Sequence, residues 1–230
     1  MELVRHSASD ADVLFAARVS TQGEQTLEAA SSGVEASERD RGLINYLMRD
    51  RHGSPFEHNS LTFYVQAPIF VFREFMRHRI ASYNEESGRY RELRPVFYVP
   101  GPERKLVQVG KPGAYEFEDG TPEQTALVHD EVVAVCTQAY ESYQRMLEAG
   151  VAREVARAVL PVTLYSSMYV TMNARSLMNF LSLRTKREGT HFPSFPQREI
   201  EMVAEKMEDL WKPLMPMTAD TFDQNGRVAP

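Results

Sequence analysis

One cysteine and one tryptophan occur in 230 residues, and no apolar run reaches the ~18 residues that a membrane-spanning helix needs. A single Cys136 excludes an internal disulfide and is compatible with a reducing compartment. It closes the run VVAVC at residues 132–136, with no Arg or His beside it to lower its pKa. Buried packing is therefore expected of it, and a nucleophilic thiolate is not. Basic charge is also short: 26 Lys and Arg stand against 32 Asp and Glu, for a net charge of -6. That balance argues against sequence-independent binding to nucleic acid, which rests on basic surfaces. The opening residues MELVRH carry a charge at the second position and lack an apolar h-region, so no signal peptide is expected. The composition predicts a cytoplasmic globular protein, one domain over residues 1–230, with neither membrane nor nucleic acid as partner.

The local patterns predict an α+β chain, with long helices around a small, mostly antiparallel sheet. Ser9 or Asp10 caps a first helix through the apolar run at 13–17, and residues 20–32 read as a polar, mobile loop. A second helix starts near Ser37; Leu43, Ile44, Leu47 and Met48 make its stripe, and His52, Gly53 and Pro55 mark its end. Residues 60–66 alternate as a strand, and Pro68 then opens a helix through Met76. Helical period is lost over residues 80–102. Residues 103–120 suggest an exposed hairpin, a peripheral insertion. A long helix runs from Thr121 to Gly150 and a shorter one from Val151 to Leu160. Residues 163–171 fit a strand, with a helix as the alternative, and helices at 175–184 and 197–214 complete the chain. Tyr165 and Tyr169 are expected in the core.

Within this acidic chain Arg73, Arg77, Arg79, Arg89, Arg91 and Arg94 crowd into one short window. A local basic focus suits a small anion better than a polyanion. Residues 77–90, RHRIASYNEESGRY, place Arg and His at the end of a helix and then a loop of hydroxyls, an amide, carboxylates and a glycine. The guanidinium fork matches phosphate bidentately, and Gly88 lets backbone N–H groups approach an anion closely. Residue types alone leave a second reading open, a surface loop whose Arg and Glu side chains pair with each other. His52 and His58 share no helix face and have no third ligand at zinc spacing, so no metal is expected.

The ordered string resembles the signature RHR-x-x-S-x-N-E-x-S-x-R-Y of the flavin-dependent thymidylate synthases, the ThyX family, at every fixed position. Further stretches resemble blocks of that family in the same order: 16–20 AARVS, 52–58 HGSPFEH, 153–157 REVAR and 173–184 NARSLMNFLSLR. The resemblance implies reductive methylation of dUMP to dTMP. Methylenetetrahydrofolate would be the carbon donor, NADPH acting through FAD the reductant, and tetrahydrofolate the second product. It implies FAD contacts at His52, Ser54, Arg77, His78, Arg79, Glu85, Asn173 and Asn179. It places dUMP against Glu74, Arg77, Glu85, Ser87, Gly88, Arg89 and Arg157. Arg184 would lie against the uracil and favour ionisation at N3, the catalytic role. The family also implies a homotetramer whose sites are shared between subunits.

The residues have rival readings of their own. His52 suits a helix end, Arg153 and Arg157 a solvated face, and Arg184 the negative end of a helix dipole. Ser87 is read as a substrate contact rather than a nucleophile. The segment 185–196 is longer and richer in proline than the family pattern, which leaves the match of His191 to a flavin-edge histidine open. A nucleotide- or RNA-binding module on the same arginines is the main alternative function. A flavoprotein of the same fold methylating another uracil-type substrate is a third.

Overall fold

The computed structural model describes residues 1–26 and 37–230. Strand β1 (Glu2–Ser7) runs antiparallel to β2 (Ser60–Pro68), with Glu2 opposite Tyr64, Ser7 opposite Ser60 and a shift in register between Leu3 and Arg5. With β3 (Ser82–Glu85) and β6 (Tyr165–Met172) they form a four-stranded sheet in the order β1-β2-β6-β3. The sequence reading misses β1 and β3. Both lie at sheet edges, and neither shows the in-out alternation of hydrophobicity that marks a half-buried strand. The expected hairpin is present as β4 (Val107–Lys111) and β5 (Ala114–Glu118), a separate antiparallel pair.

Helix caps follow the sequence closely. The Ser9 hydroxyl accepts the Asp12 N–H at the start of α1 (Asp10–Gln22). Ser37 and Asp40 form a capping box on α2 (Glu38–Arg49). The expected loop at 20–32 is corrected in part, because α1 continues through Gln22; residues 27–32 of it lie outside the described residues. The end of α2 is corrected as well. Arg51, not Gly53, takes the left-handed position with φ 65°, while the Arg51 and His52 N–H groups reach back to Met48 and Leu47 carbonyls.

After a 3₁₀ turn (Ser54–Glu57), α3 (Ile69–Phe75) follows β2 directly. It stops before Arg77 and His78, which therefore lie past the helix rather than on its last turn. Helix α4 (Pro122–Glu148) carries a Thr121–Gln124 capping box. The expected helix at 151–160 is a short α5 (Arg153–Ala156) continued by a 3₁₀ turn (Arg157–Val159). Helices α6 (Ala174–Arg184), α7 (Arg198–Trp211) and α8 (Pro216–Gln224) follow β6. The last of these is missed from sequence, because threonines replace aliphatic residues on its buried face. Its backbone N–H groups at Met217 and Thr218 donate to the buried Asp10 carboxylate at 2.8 and 2.9 Å, a cap brought from the other end of the chain.

Contacts divide the chain into two compact units. The first comprises Met1–Val65, Met76–Asn84 and Tyr169–Pro230, with Ile44, Phe56, Phe63, Phe180, Trp211 and Phe222 fully buried in it. The second comprises Gln66–Phe75 and Glu85–Met168, around Phe72, Phe75, Tyr143 and Leu164. Cys136 is buried as expected, its Sγ 3.3 Å from the Thr163 hydroxyl. Tyr169 departs from expectation: half of it is exposed, its ring tilted against Tyr64. No described helix is long and apolar enough to cross a membrane.

Candidate active site

In the first unit α6 presents its two ends to different tasks. Asn173 is the N-cap, its Oδ1 accepting the Ser176 N–H at 2.9 Å. Asn59 ties this start to the 3₁₀ turn. Its Oδ1 accepts the Ala174 N–H at 2.8 Å, and its amide donates to the Phe56 carbonyl at 3.0 Å. Arg175 donates to Glu57 at 2.5 Å and also to the Pro230 carbonyl. Gly53 lies under that guanidinium: a Cβ there would fall 2.5 Å from the Arg175 Cζ and 2.8 Å from the Pro230 oxygen. Only a glycine lets His52 and Ser54 run this close to α6. The His52 ring stacks on Tyr46 with centroids 5.4 Å apart, and Asn179 donates to the Arg175 carbonyl at 3.2 Å.

At the far end of α6 stands Arg184, its last residue. Its Nε donates to His78 Nε2 at 3.1 Å. One turn earlier the buried Phe180 meets the edge of the same imidazole, with centroids 4.8 Å apart and planes at 75°. The Tyr83 hydroxyl donates to the His78 carbonyl at 2.7 Å. Burial pushes the Tyr83 pKa up to about 12, so the phenol keeps its proton. Burial, aided by the Arg184 charge, pulls His78 down to about 4, so the imidazole is neutral at pH 7. Arg77 and Arg79 flank His78 as exposed cations.

The second unit holds the other cluster. Glu86 anchors the loop by donating its N–H to the Ser167 carbonyl at 2.8 Å and pairing with Arg91 at 3.0 Å. Ser87 then closes a turn: its hydroxyl accepts the Arg89 N–H at 3.2 Å, and its carbonyl accepts from Tyr90 and Arg91. Gly88 is buried inside that turn, and a Cβ on it would fall 2.8 Å from Leu93 Cδ1 and 3.2 Å from Arg157 Cδ. The exposed Arg157 thus passes its side chain beside Gly88, and Arg89, the next residue of the turn, pairs with Glu154 at 2.9 Å. Glu74 on α3 and Glu85 at the end of β3 are half-buried residues of this unit.

The structure therefore gathers His52, Ser54 and Asn173 around the start of α6, sets Asn179 at its middle, and brings His78 to Arg184 at its end. Ser87, Gly88, Arg89 and Arg157 form a distinct group in the second unit. The residues expected at dUMP fall mostly in that unit, and those expected at FAD mostly in the first; Arg77, Arg184 and Glu85 are the exceptions. His191 is held elsewhere in the first unit, its N–H on the Gly226 carbonyl and its ring edge-on to Phe192. Sequence reading missed Tyr83, Asn59, Arg175 and Glu154 as supporting groups. The motif strings contain three of these four, but no spacing rule says which of their polar atoms face a functional side chain.

A profile of the thymidylate synthase complementing protein family matches residues 2–217. The chain is 68% identical to the flavin-dependent thymidylate synthase of Streptomyces avermitilis, covering 100% of this chain and 93% of that one. The chain belongs to the flavin-dependent thymidylate synthase family. A family enzyme of Tropheryma whipplei is 61% identical over 100% of this chain and 94% of its own. Two crystal structures of a UMP/dUMP methylase, PolB from Streptomyces cacaoi, superpose over 100% of this chain and 96% of theirs. The one with 5-Br UMP gives a TM-score of 0.89 at 54% identity, and the one with 5-Br dUMP gives 0.91 at 55%. Similarity at this level extends over both units, so the family signature at residues 77–90 sits in a whole family fold.

Proposed function

We propose that this chain is a flavin-dependent thymidylate synthase, which methylates C5 of dUMP to give dTMP. The observation that carries the reading is the full signature at residues 77–90 in a chain of this family, with the Arg157 side chain passing beside its Gly88. Two guanidiniums at a buried glycine turn suit a phosphate monoester, since each offers a planar fork of N–H donors. Ser87 serves there as a turn-closing hydroxyl and substrate contact; Glu74 and Glu85 complete the nucleotide's surroundings.

The first unit's residues fit a dinucleotide cofactor. Arg77 and Arg79 supply charge for a pyrophosphate, while His52, Ser54, Asn173 and Asn179 supply hydroxyl, amide and ring contacts along the first half of α6. Gly53 lets the chain between His52 and Ser54 pass close under the Arg175 guanidinium. These residues would hold FAD, and the chemistry it would supply when bound is the passage of reducing equivalents from NADPH to the one-carbon unit donated by methylenetetrahydrofolate. Arg184 places a fixed positive charge against the uracil, where it stabilises the ring that has lost its N3 proton. The chain's own contribution is thus orientation and electrostatics, with no nucleophile of its own. A cytoplasmic homotetramer with sites shared between subunits completes the reading.

A second reading, methylation of UMP, is favoured by the likeness to PolB. Purified protein assayed with dUMP and UMP in parallel separates the two. Turnover of dUMP at a kcat/KM at least ~10-fold above that for UMP, a difference of about 1.4 kcal/mol, supports the thymidylate assignment. Comparable turnover of both assigns a dual methylase, and turnover of UMP alone overturns the proposal.

A further inference from the structure

We propose that His78 is a positioning residue for Arg184: its Nε2 lone pair takes the Arg184 Nε–H and thereby fixes which edge of the guanidinium meets the substrate. The inference rests on the reading of Arg184 as the group that faces uracil. A guanidinium has five N–H donors in one plane, and its Nε–H lies on the side of the attached chain. With that donor held at 3.1 Å by His78, the plane of the guanidinium is set. His78 is itself held at its ring and at its backbone. Phe180 presses on its edge at 4.8 Å, and Tyr83 holds its backbone carbonyl at 2.7 Å.

The arrangement works with one protonation state and one tautomer. Nε2 must be unprotonated to accept, so the ring proton sits on Nδ1. Burial and the neighbouring Arg184 charge both favour the neutral ring, with the pKa at about 4. A protonated His78 would present N–H against N–H and turn the guanidinium away. Phe180 and Arg184, being i and i+4 on α6, make the donor and the wall against the imidazole parts of one rigid element. An error of about 1 Å in the placing of a reacting group costs ~10²-fold in rate, so the hydrogen bond has catalytic leverage without touching substrate.

Two experiments test this on the holoenzyme. His78→Leu removes the acceptor, whereas His78→Gln retains one in its side-chain carbonyl. We expect His78→Leu to lower kcat by ~10–100-fold with flavin retained and the KM for dUMP within ~3-fold, and His78→Gln to recover most of the loss. Loss of flavin in His78→Leu, or equal damage in both variants, overturns the proposal in favour of a cofactor contact or a packing role. Independently of turnover, NMR of ¹⁵N-histidine-labelled protein should show His78 protonated on Nδ1 and bare on Nε2 at pH 7, remaining neutral to about pH 5. Arg184→Ala should change the Nε2 signal and raise the pKa towards 6.5. A proton on Nε2 in the wild type, or no response to Arg184→Ala, overturns the pairing whatever the activity. Full activity in Arg184→Ala overturns the role of Arg184 and this inference with it. Inactive Arg184→Ala with an unperturbed His78 signal overturns only the inference.

Discussion

Gly88→Ala tests the nucleotide cluster through a single methyl group. The new Cβ would fall 2.8 Å from Leu93 Cδ1, 3.2 Å from Leu93 Cγ and 3.2 Å from Arg157 Cδ. Carbon pairs rest at ~3.5–4.0 Å, so the first contact is short by about 0.7 Å or more. Leu93 cannot slide away as a unit. Its N–H is taken by the Tyr143 hydroxyl at 3.2 Å and its carbonyl by the Tyr140 hydroxyl at 3.1 Å, both from α4. The strain must therefore be relieved by rotating the buried leucine side chain and by pushing Arg157 outwards. Overpacking of this kind costs about 1–3 kcal/mol. For a chain of this size that lowers Tm by ~2–12 °C, at 2–4 °C per kcal/mol. Displacing Arg157 from a phosphate forfeits a charge-assisted hydrogen bond of roughly 1.5–3 kcal/mol, which raises the KM for dUMP by ~10-fold or more. Thermal denaturation and steady-state kinetics with dUMP read the two effects. Leu93→Val in the same background removes the clashing Cδ1 and should restore about 1 kcal/mol relative to the sum of the single changes. A Gly88→Ala enzyme with wild-type Tm and wild-type KM would refute the packing argument and the place of Arg157 in the site.

Two further outcomes follow from charge. Glu154 holds the Arg89 Nε at 2.9 Å, with both side chains more than half exposed, so the pair contributes at most about 1 kcal/mol to stability. Glu154→Gln should lower Tm by no more than ~4 °C and lower the KM for dUMP by up to ~5-fold, because the phosphate no longer competes with a carboxylate; a raised KM would show instead that Glu154 holds Arg89 in its productive place. Acidification should destabilise the protein in two stages, measured as Tm against pH. The His78 pKa is about 4 when folded against 6.5 when free, so between those values the unfolded chain binds more protons and stability falls with pH. After discounting for the half-buried ring the loss is on the order of 1–2 kcal/mol, and His78→Gln should abolish it. Burial opposes the Glu208 carboxylate, but Arg227 and Lys212 more than reverse this and hold its pKa below 4.5. Its contribution is therefore present above pH 4.5 and lost below it. A Tm constant from pH 7 to 4 would contradict the first stage.

The parts of the fold that were legible in the sequence are those encoded locally. Ser9, Ser37 and Thr121 cap the helices they were expected to cap, and the alternation at residues 60–66 became β2. What escaped was encoded at a distance. β1 and β3 are edge strands fixed by their neighbours in the sheet, and α8 depends on a carboxylate 207 positions earlier in the chain. Arg51 in the left-handed region where Gly53 was expected has a similar cause: Gly53 is held for its close approach to Arg175, so it is unavailable as the helix stop. At the site, the motif string identified Arg89 and Gly88, but the approach of Arg157 to Gly88 arises from the 3₁₀ turn after α5 packing against a loop far away in sequence. The His78–Arg184 contact spans 106 residues and has no spacing signature at all.

The central claim is that these residues serve reductive methylation of dUMP, and the direct measurement is product formation by the purified protein. With FAD bound, dUMP, methylenetetrahydrofolate and NADPH should yield dTMP and tetrahydrofolate in equal amounts, with no dTMP when either NADPH or the folate is omitted. A colourless protein that binds polyanions in a salt-sensitive manner, or a flavoprotein that forms no dTMP, would contradict it.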